Sequence, residues 1–389
     1  MIKCQSCEGE TPEGRFCIRC GAPLGQGHEG RSSGRSPYAA APHEHVALPA
    51  LVSSLFPHLP RSSHWGFRIA LFSGAGLLVV LAVTRLFPVG LIAAALLLPL
   101  VVVLYVIDVD VYEDESVWAT GLSMGWGALA GVGFGLIAVA VSPSLTSVIN
   151  NGHAQDLVWQ GLVLPFLGLL VLIIGPLTLL RYHRFNSVLD GVAFGLSAGA
   201  AFAGGQLIAY SAHVLGNGIR PHGALVPWIW RLLSFGVAMP VVTMGAAAAV
   251  CAALWLRHRA PARDADALGW AGHPAVALPM AALLVMGASV GEVFLPSGGW
   301  LGWLAAFDLV VLVLLRRAIH VGLLEESLEI PIGPRFTCPN CGGETARHTF
   351  CGQCGISLQA LPKARSETAP GPAGAGPAPT ITPTPEPGT

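Results

Sequence analysis

Long apolar stretches dominate the sequence and constrain its fold more than any other feature. Eight of them, between Arg68 and His320, are long enough to cross the bilayer as α-helices, because about 30 Å of hydrocarbon requires about 20 apolar residues. They cover residues 68–87, 89–107, 117–142, 157–180, 188–215, 225–256, 274–296 and 299–319. We therefore expect an all-α polytopic membrane protein, with a bundle of about eight transmembrane helices over residues 65–322.

The composition agrees with a membrane protein and excludes several other classes. Charged residues make up 11% of the 389 residues, against about 25% in ordinary soluble domains, and the mean hydropathy is +0.63. So little charge cannot cover a water-facing surface, which excludes a simple cytosolic enzyme and a wholly disordered chain. The apolar stretches make the lipid bilayer an expected partner. Because the formal net charge is −1, the protein has no overall positive field to attract nucleic acid, and we expect no nucleic-acid partner.

Eight of the nine cysteines form two clusters, one near each end of the chain. In each cluster, nine residues separate two Cys-x2-Cys pairs. The members are Cys4, Cys7, Cys17 and Cys20, and then Cys338, Cys341, Cys351 and Cys354. This spacing suits four thiolates around a tetrahedral zinc ion, whereas disulfides are the alternative. We predict two structural zinc ions per chain, with no open ligand position for catalysis.

The two clusters are copies of one unit. At an offset of 334 residues, positions outside the cysteines also match: Gly9 and Gly343, Glu10 and Glu344, Thr11 and Thr345, Phe16 and Phe350, Gly21 and Gly355, Leu24 and Leu358. A phenylalanine before the third cysteine would cover the metal, and a glycine after the fourth allows a turn with positive φ. Residues 1–24 and 335–361 resemble the small zinc ribbons common at the ends of bacterial membrane proteins.

Two further segments show no periodic apolar pattern. Residues 25–64 are rich in Gly, Ser, Pro and His and are typical of a flexible linker, although their histidines leave a metal-binding tract as the alternative. Residues 362–389 are rich in Pro, Ala and Gly and predict a disordered tail. Because such a linker decouples the first ribbon from the bundle, we expect Cys17→Ser to unfold that ribbon alone.

The arginines predict the orientation of the bundle. With the N-terminus in the cytoplasm, nine of them flank the cytoplasmic ends of the helices: Arg61, Arg68, Arg181, Arg184, Arg257, Arg259, Arg263, Arg316 and Arg317. Positive residues concentrate on the cytoplasmic side of membrane proteins. We therefore expect a multi-pass protein of the cell membrane with both termini cytoplasmic. The reducing cytoplasm would keep the cysteines as thiols, which favours zinc over disulfides.

Two stripes of glycine predict close helix packing. Gly127, Gly131 and Gly135 recur every four residues in the third apolar stretch, and Gly191, Gly195 and Gly199 do so in the fifth. Small residues at this spacing let two helix backbones approach each other. We expect these two stripes to pack against each other.

Three segments in order resemble the PrsW family of intramembrane proteases, over about residues 105–256. The acidic run Tyr112-Glu113-Asp114-Glu115 resembles the segment before that family's third span. Asp190-Gly191, within "FNSVLDGVAFGLSAGAAF", resembles its acidic-Gly helix start, and the stretch with Arg231, Thr243 and Gly245 resembles its third motif region. The resemblance implies the family's membrane fold and a water-activating site inside the bundle.

The residues that the resemblance requires for catalysis are replaced in this chain. Gly168 and Leu169 occupy the positions of the family's Glu pair, and Leu172 that of a Lys. Gln206 occupies the position of a later Glu, and Met239 that of a His. None of these side chains can serve as a general base. We therefore expect the fold without its protease activity.

Few ionisable residues remain within the apolar stretches: Asp190, His213, Glu292 and Asp308. Each is a candidate for function, because charge in hydrocarbon is costly, and each has a structural alternative at a helix end or interface. Three hypotheses stay open. The chain is an inactive PrsW-like scaffold or sensor (a pseudoenzyme) that binds a cytoplasmic protein through its ribbons, a working protease with displaced groups such as Glu292, or an unrelated transporter or channel.

Overall fold

A computed structural model describes eight parts of the chain, residues 1–4, 9–24, 65–108, 117–141, 156–215, 225–259, 265–327 and 331–358. The predicted linker at 25–64 and the tail at 362–389 lie outside these residues, as do Cys7 and most of the acidic run before the third apolar stretch.

Each end of the chain forms a small two-stranded unit around its cysteines. Strands β1 (Ile2–Lys3) and β2 (Glu10–Thr11) pair antiparallel, with Ile2 opposite Thr11. Strands β3 (Arg335–Thr337) and β4 (Glu344–Ala346) pair in the same way, with Phe336 opposite Thr345. The equivalent pairs differ by the predicted offset, so the sequence repeat is also a structural repeat. We call the two units the first ribbon and the second ribbon.

Between the ribbons the described chain is helical. The helices are α1 (Trp65–Val83), α2 (Phe87–Asp108), α3 (Val117–Val141), α4 (Leu164–Leu179), α5 (Val188–Leu215), α6 (Leu225–Leu233), α7 (Met239–His258), α8 (Pro274–Phe294) and α9 (Ser297–Ser327). A π-helical stretch, Leu157–Val163, leads into α4, and a second one, Ser234–Ala238, joins α6 to α7. A short 3-10 helix, Ala265–Gly272, precedes α8.

Seven helical stretches of the described chain are long and apolar enough to cross a membrane. This confirms an all-α polytopic membrane protein. The first predicted span is present as α1, but its apolar part, Phe72–Val83, is shorter than the other seven. The long sixth stretch is one continuous helical path from Leu225 to His258 through the π-helical join.

Helix α5 forms the centre of the bundle. Its apolar stretch is 89% buried, whereas that of α3 is 22% buried. Helices α2, α3 and α7 all pack against α5, and α8 and α9 pack against α7. Most of α5 therefore has no access to lipid, which explains why small residues fill it.

The two glycine stripes both allow close packing, but not against each other. Gly131 of α3 faces α5, where a Cβ would overlap the carbonyl group of Phe202. Gly195 of α5 faces α7, where a Cβ would overlap the backbone of Ala248. The expected contact of α3 with α5 is present, but the expected pairing of the two stripes is wrong. The stripe glycines of α5 lie against α7, whereas Gly204 and Gly205 lie against α2 and α3.

Candidate metal centres and an intramembrane cavity

The second ribbon brings four sulfur atoms into one shell. The Sγ atoms of Cys338, Cys341, Cys351 and Cys354 all lie within 4.8 Å of one another. Cys338 and Cys354 are 4.0 Å apart, and Cys341 and Cys351 are 3.9 Å apart. Four ligands with Zn–S bonds of about 2.3 Å would have their sulfurs about 3.8 Å apart, whereas bonded sulfurs lie about 2.05 Å apart. The spacing fits a metal shell and excludes disulfides among these four.

The first ribbon repeats this arrangement as far as it is described. Sulfur atoms of Cys4, Cys17 and Cys20 lie within 4.8 Å of one another, and those of Cys4 and Cys20 are 3.7 Å apart. The fourth predicted ligand, Cys7, lies outside the described residues. Both clusters can hold a metal ion.

Two N–H groups donate hydrogen bonds to sulfur atoms of the second cluster. The backbone N–H of Gln353 donates to Cys351 Sγ at 3.4 Å, and the side-chain amide of Asn340 donates to Cys354 Sγ at 3.6 Å. Hydrogen bonds from the thiols of Cys338 and Cys354 lower the pKa of Cys351 well below its usual range. The thiolate is the form that binds metal, so this hydrogen bonding favours the metal-binding form of Cys351.

The two ribbons bind each other through their backbones. The N–H of Phe350 donates to the carbonyl oxygen of Ile18 at 2.8 Å, and the N–H of Phe16 donates to that of Gly352 at 2.9 Å. Residues 16 and 18 are the repeat equivalents of 350 and 352, so these two hydrogen bonds are related by an approximate twofold axis. The expectation of a decoupled first ribbon is therefore wrong, because hydrogen bonds between residues more than 330 positions apart join it to the second.

A pair of glycines makes room for this contact. Gly21 and Gly355 have φ of 71° and 72°, as the sequence predicted for the turn after the fourth cysteine. Each also lies against a phenylalanine ring of the other ribbon, Gly21 against Phe350 and Gly355 against Phe16. A Cβ on Gly355 would lie 2.9 Å from the Phe16 ring. These glycines therefore serve the turn and the interface at once.

The second ribbon also contacts the bundle. The Phe350 side chain is 5% exposed and belongs to the same buried apolar cluster as Val188 and Leu189 of α5 and Ile319 of α9. Its ring centroid is 6.0 Å from that of His320 on α9. Since Cys351 follows Phe350 directly, a predicted metal ligand is adjacent to a residue of the bundle core.

Inside the bundle a small cavity of about 90 Å³ lies among α4, α5, α7 and α8 and is large enough for a few water molecules. Its lining includes four of the five positions at which the resemblance requires catalytic groups, namely Gly168, Leu169, Gln206 and Met239, and does not include the fifth, Leu172. The structure thus brings these positions together from three different helical segments.

Further polar side chains line this cavity. One of them, Thr243, belongs to the third motif region of the resemblance, and the others do not: Gln160, Tyr210, Ser289 and Glu292. Gln160 belongs to the first π-helical stretch, and Phe235 of the second π-helical stretch also lines the cavity. Such stretches are frequent at functional sites. Glu292 is the one carboxylate among the described residues of the lining.

Glu292 also faces a second opening. A cleft of about 360 Å³ near the end of α8 is lined by Arg231, Phe235, Glu292 and Trp300. The guanidinium carbon of Arg231 lies 5.1 Å from the centroid of the Phe235 ring. Glu292 and Phe235 border both the cleft and the inner cavity, so they separate the polar interior from the helix ends. This position favours a functional interpretation of Glu292 over a purely interfacial one.

The other ionisable candidates lie apart from this cavity. Asp190 is in the first turn of α5, where its Oδ2 accepts the backbone N–H of Ser187 at 3.0 Å, an arrangement that stabilises a helix start. Asp308 is on α9, and its buried Oδ1 has no hydrogen-bond partner among the described residues. The side chain of His213 lies outside the described residues.

Sequence reasoning missed Gln160 and Tyr210, and it did not connect Arg231 with Glu292, which lines the same cleft. A polar residue in an apolar stretch was the only signal for Gln160. The pairing of the ribbons was also missed. The signal for it was the Phe and the Gly that repeat in both copies without being metal ligands, because these residues form the contact between the ribbons.

Comparisons with known proteins found no match for this chain. Neither a scan against protein-family models nor searches of curated proteins and solved structures gave a significant match.

Proposed function

We propose that this protein is a scaffold or sensor of the cell membrane, whose two cytoplasmic zinc ribbons bind a cytoplasmic protein partner. In this proposal the bundle has a PrsW-like fold without protease activity. The observation that carries the proposal is the position of Phe350, which contacts the first ribbon, the bundle core and, through the chain, the ligand Cys351. A change of metal content or of bound partner at the ribbons would therefore reach α5 and α9 directly.

Zinc would act here as a structural ion. It closes each ribbon by joining its two Cys-x2-Cys pairs, and the fold of such units depends on the metal. Metal analysis of the purified protein should give two zinc ions per chain. Acidification should release them, because protons compete with zinc for the thiolates, so the metal is retained at neutral pH and lost as the pH falls. A protein that folds normally with less than one zinc per chain would refute this part.

The scaffold role is tested on the full chain in its own membrane. A photo-crosslinking residue is placed at exposed positions of the ribbons, Glu13 and Arg335, and at the exposed Arg257 of the bundle as a matched control. We expect a defined crosslinked protein from the ribbon positions alone, and its loss in a Cys351→Ser background. Equal crosslinking from Arg257, or crosslinks that persist without the metal ligand, would argue against the ribbons as the binding surface.

Glu292 supports a second candidate, intramembrane proteolysis with displaced groups. A carboxylate can take a proton from water, and the hydroxyl of Tyr210 in the same cavity can donate a hydrogen bond to a developing oxyanion. The purified protein in lipid vesicles is mixed with single-span substrates. Turnover that is abolished by Glu292→Gln and kept by Asp308→Asn would favour the protease, whereas the scaffold proposal expects no turnover in any variant.

A further inference from the structure

A large groove runs between α3 and α4 on the outside of the bundle. Its volume is about 1040 Å³, at the upper end of ordinary ligand pockets. The start of α3 and the end of α4 form the same end of the groove. Its lining includes Trp118, Gly121 and Gly125 of α3, Ile174 of α4, and Arg181 and Arg184 just after α4. We call this the α3–α4 groove.

Two glycines keep the groove open. A Cβ on Gly121 or on Gly125 would have no atom within 4 Å, so these positions face empty space in the protein. Further along, the indole N–H of Trp126 donates to the carbonyl oxygen of Val171 at 3.1 Å and ties α3 to α4. The walls from Trp118 to Leu129 extend about 16 Å along the helix axis, which is the rise of eleven residues. This length is apolar and suits a hydrocarbon chain.

One end of the groove is cationic. Arg181 and Arg184 are exposed, and neither guanidinium has a hydrogen-bond or ion-pair partner within the described parts of the chain. The neighbouring Arg259 is used differently, because it holds the carbonyl oxygen of Leu180 and contacts Nδ1 of His183 at 2.9 Å. Exposed Trp118 and Tyr182 flank the two arginines, as aromatic residues do at the level of lipid headgroups.

We propose that the α3–α4 groove is a binding site for an anionic phospholipid. The phosphate lies against Arg181 and Arg184, and an acyl chain lies over Gly121 and Gly125. Basic pockets between membrane helices recognise anionic headgroups in this way. The acidic run at residues 113–115, which leads into α3, is a competing occupant. It would neutralise the arginines but leave the apolar length from Gly121 to Leu129 uncovered, so the lipid fits the whole groove better.

The test is lipid titration of the delipidated full chain, read by native mass spectrometry. The probes are dioleoyl phosphatidylglycerol, dioleoyl phosphatidylcholine and inorganic phosphate. We expect clear preference for phosphatidylglycerol. Arg181→Gln with Arg184→Gln should weaken its binding about 25-fold, since each arginine near an anionic headgroup contributes about fivefold. Arg257→Gln, an exposed arginine outside the groove, should leave the binding unchanged.

A second pair of variants tests the acyl-chain part. Gly125→Leu fills the groove without a clash and should reduce phosphatidylglycerol binding at least tenfold, whereas Gly133→Leu, on the same helix with equally open space, should not. Equal binding of both lipids, equal effects of the two leucine variants, or full competition by inorganic phosphate would overturn the proposal. So would phosphatidylglycerol binding that begins only after Glu113→Gln, Asp114→Asn and Glu115→Gln.

Discussion

Phe350 connects three parts of the molecule that the sequence presents as separate. Its backbone N–H binds the first ribbon, its ring packs into the core of the bundle, and the next residue is a predicted metal ligand. Its repeat equivalent, Phe16, packs against Gly355 of the second ribbon. Identical residues in the two copies therefore have different roles, because among the described residues the bundle core includes Phe350 and not Phe16.

Truncation of this side chain should release the second ribbon from the bundle. We expect Phe350→Ala to lower the stability of the attached state by about 3–5 kcal/mol, the usual cost of such a core truncation. Two zinc ions should remain bound. Limited proteolysis between α9 and β3 measures the release, and Phe336→Ala, a less buried phenylalanine of the same ribbon, is the control. Equal cleavage of both variants would contradict the assigned role of Phe350.

Loss of one ligand in the first ribbon should affect both ribbons. Cys17→Ser removes a ligand from the first cluster. The backbone groups of Ile18 and Phe16 are then no longer held in place for their hydrogen bonds to the second ribbon. We expect lower zinc affinity at the second cluster too, measured by chelator competition. Cys251→Ser, a buried cysteine of the bundle, should retain both ions. An unchanged zinc affinity at the second cluster would show that the two ribbons are independent, as the sequence suggested.

Among the helices, α3 shows how one element can present two different faces. Gly131 points at the backbone of α5, while Gly133 faces open space. Gly131→Leu should destabilise the bundle by more than the roughly 1–3 kcal/mol of ordinary overpacking, because the obstacle is backbone and cannot rotate away. Gly133→Leu should cost nothing measurable. Thermal unfolding in detergent compares the two, and equal melting temperatures would exclude the close contact.

What the sequence could predict was local, and what it missed depends on distant residues. Apolar runs and Cys-x2-Cys pairs each have a short physical signal, so the helices and the metal clusters were found. The face on which Gly195 lies depends on the rotation of α5 relative to two neighbours. The cavity needs Gln160, Tyr210 and Glu292 from three segments in register. No single window of sequence contains that information.

At the scale of the whole molecule, the ribbon pair restricts the membrane topology. Two ribbons joined by backbone hydrogen bonds lie on the same side of the bilayer, which requires an even number of crossings between them. Seven stretches are long enough to cross by length and composition. We therefore expect the shorter apolar helix α1 to supply an eighth crossing.

This argument predicts that both termini are on one side, and the arginines predict that it is the cytoplasm. A reporter that is active only outside the cytoplasm should be silent when fused before Met1 or after Thr389, and active in the loop between α8 and α9. Activity at a single terminus would show that α1 does not cross and that the ribbons do not meet. Activity at both termini would show that the ribbons lie outside the cytoplasm, so the predicted orientation would be wrong while the pairing of the ribbons would stand.

The pairing of Phe16 with Gly352 and of Ile18 with Phe350 also sets an order of events during synthesis. The first ribbon leaves the ribosome long before its partner is made. At about 5–20 residues per second, the intervening 334 residues take on the order of 20 to 70 s. During that time the Phe16 ring and the backbone groups of Phe16 and Ile18 lack the contacts that the second ribbon later provides. The second ribbon, once translated, covers these groups and joins two segments of the chain that lie far apart in sequence.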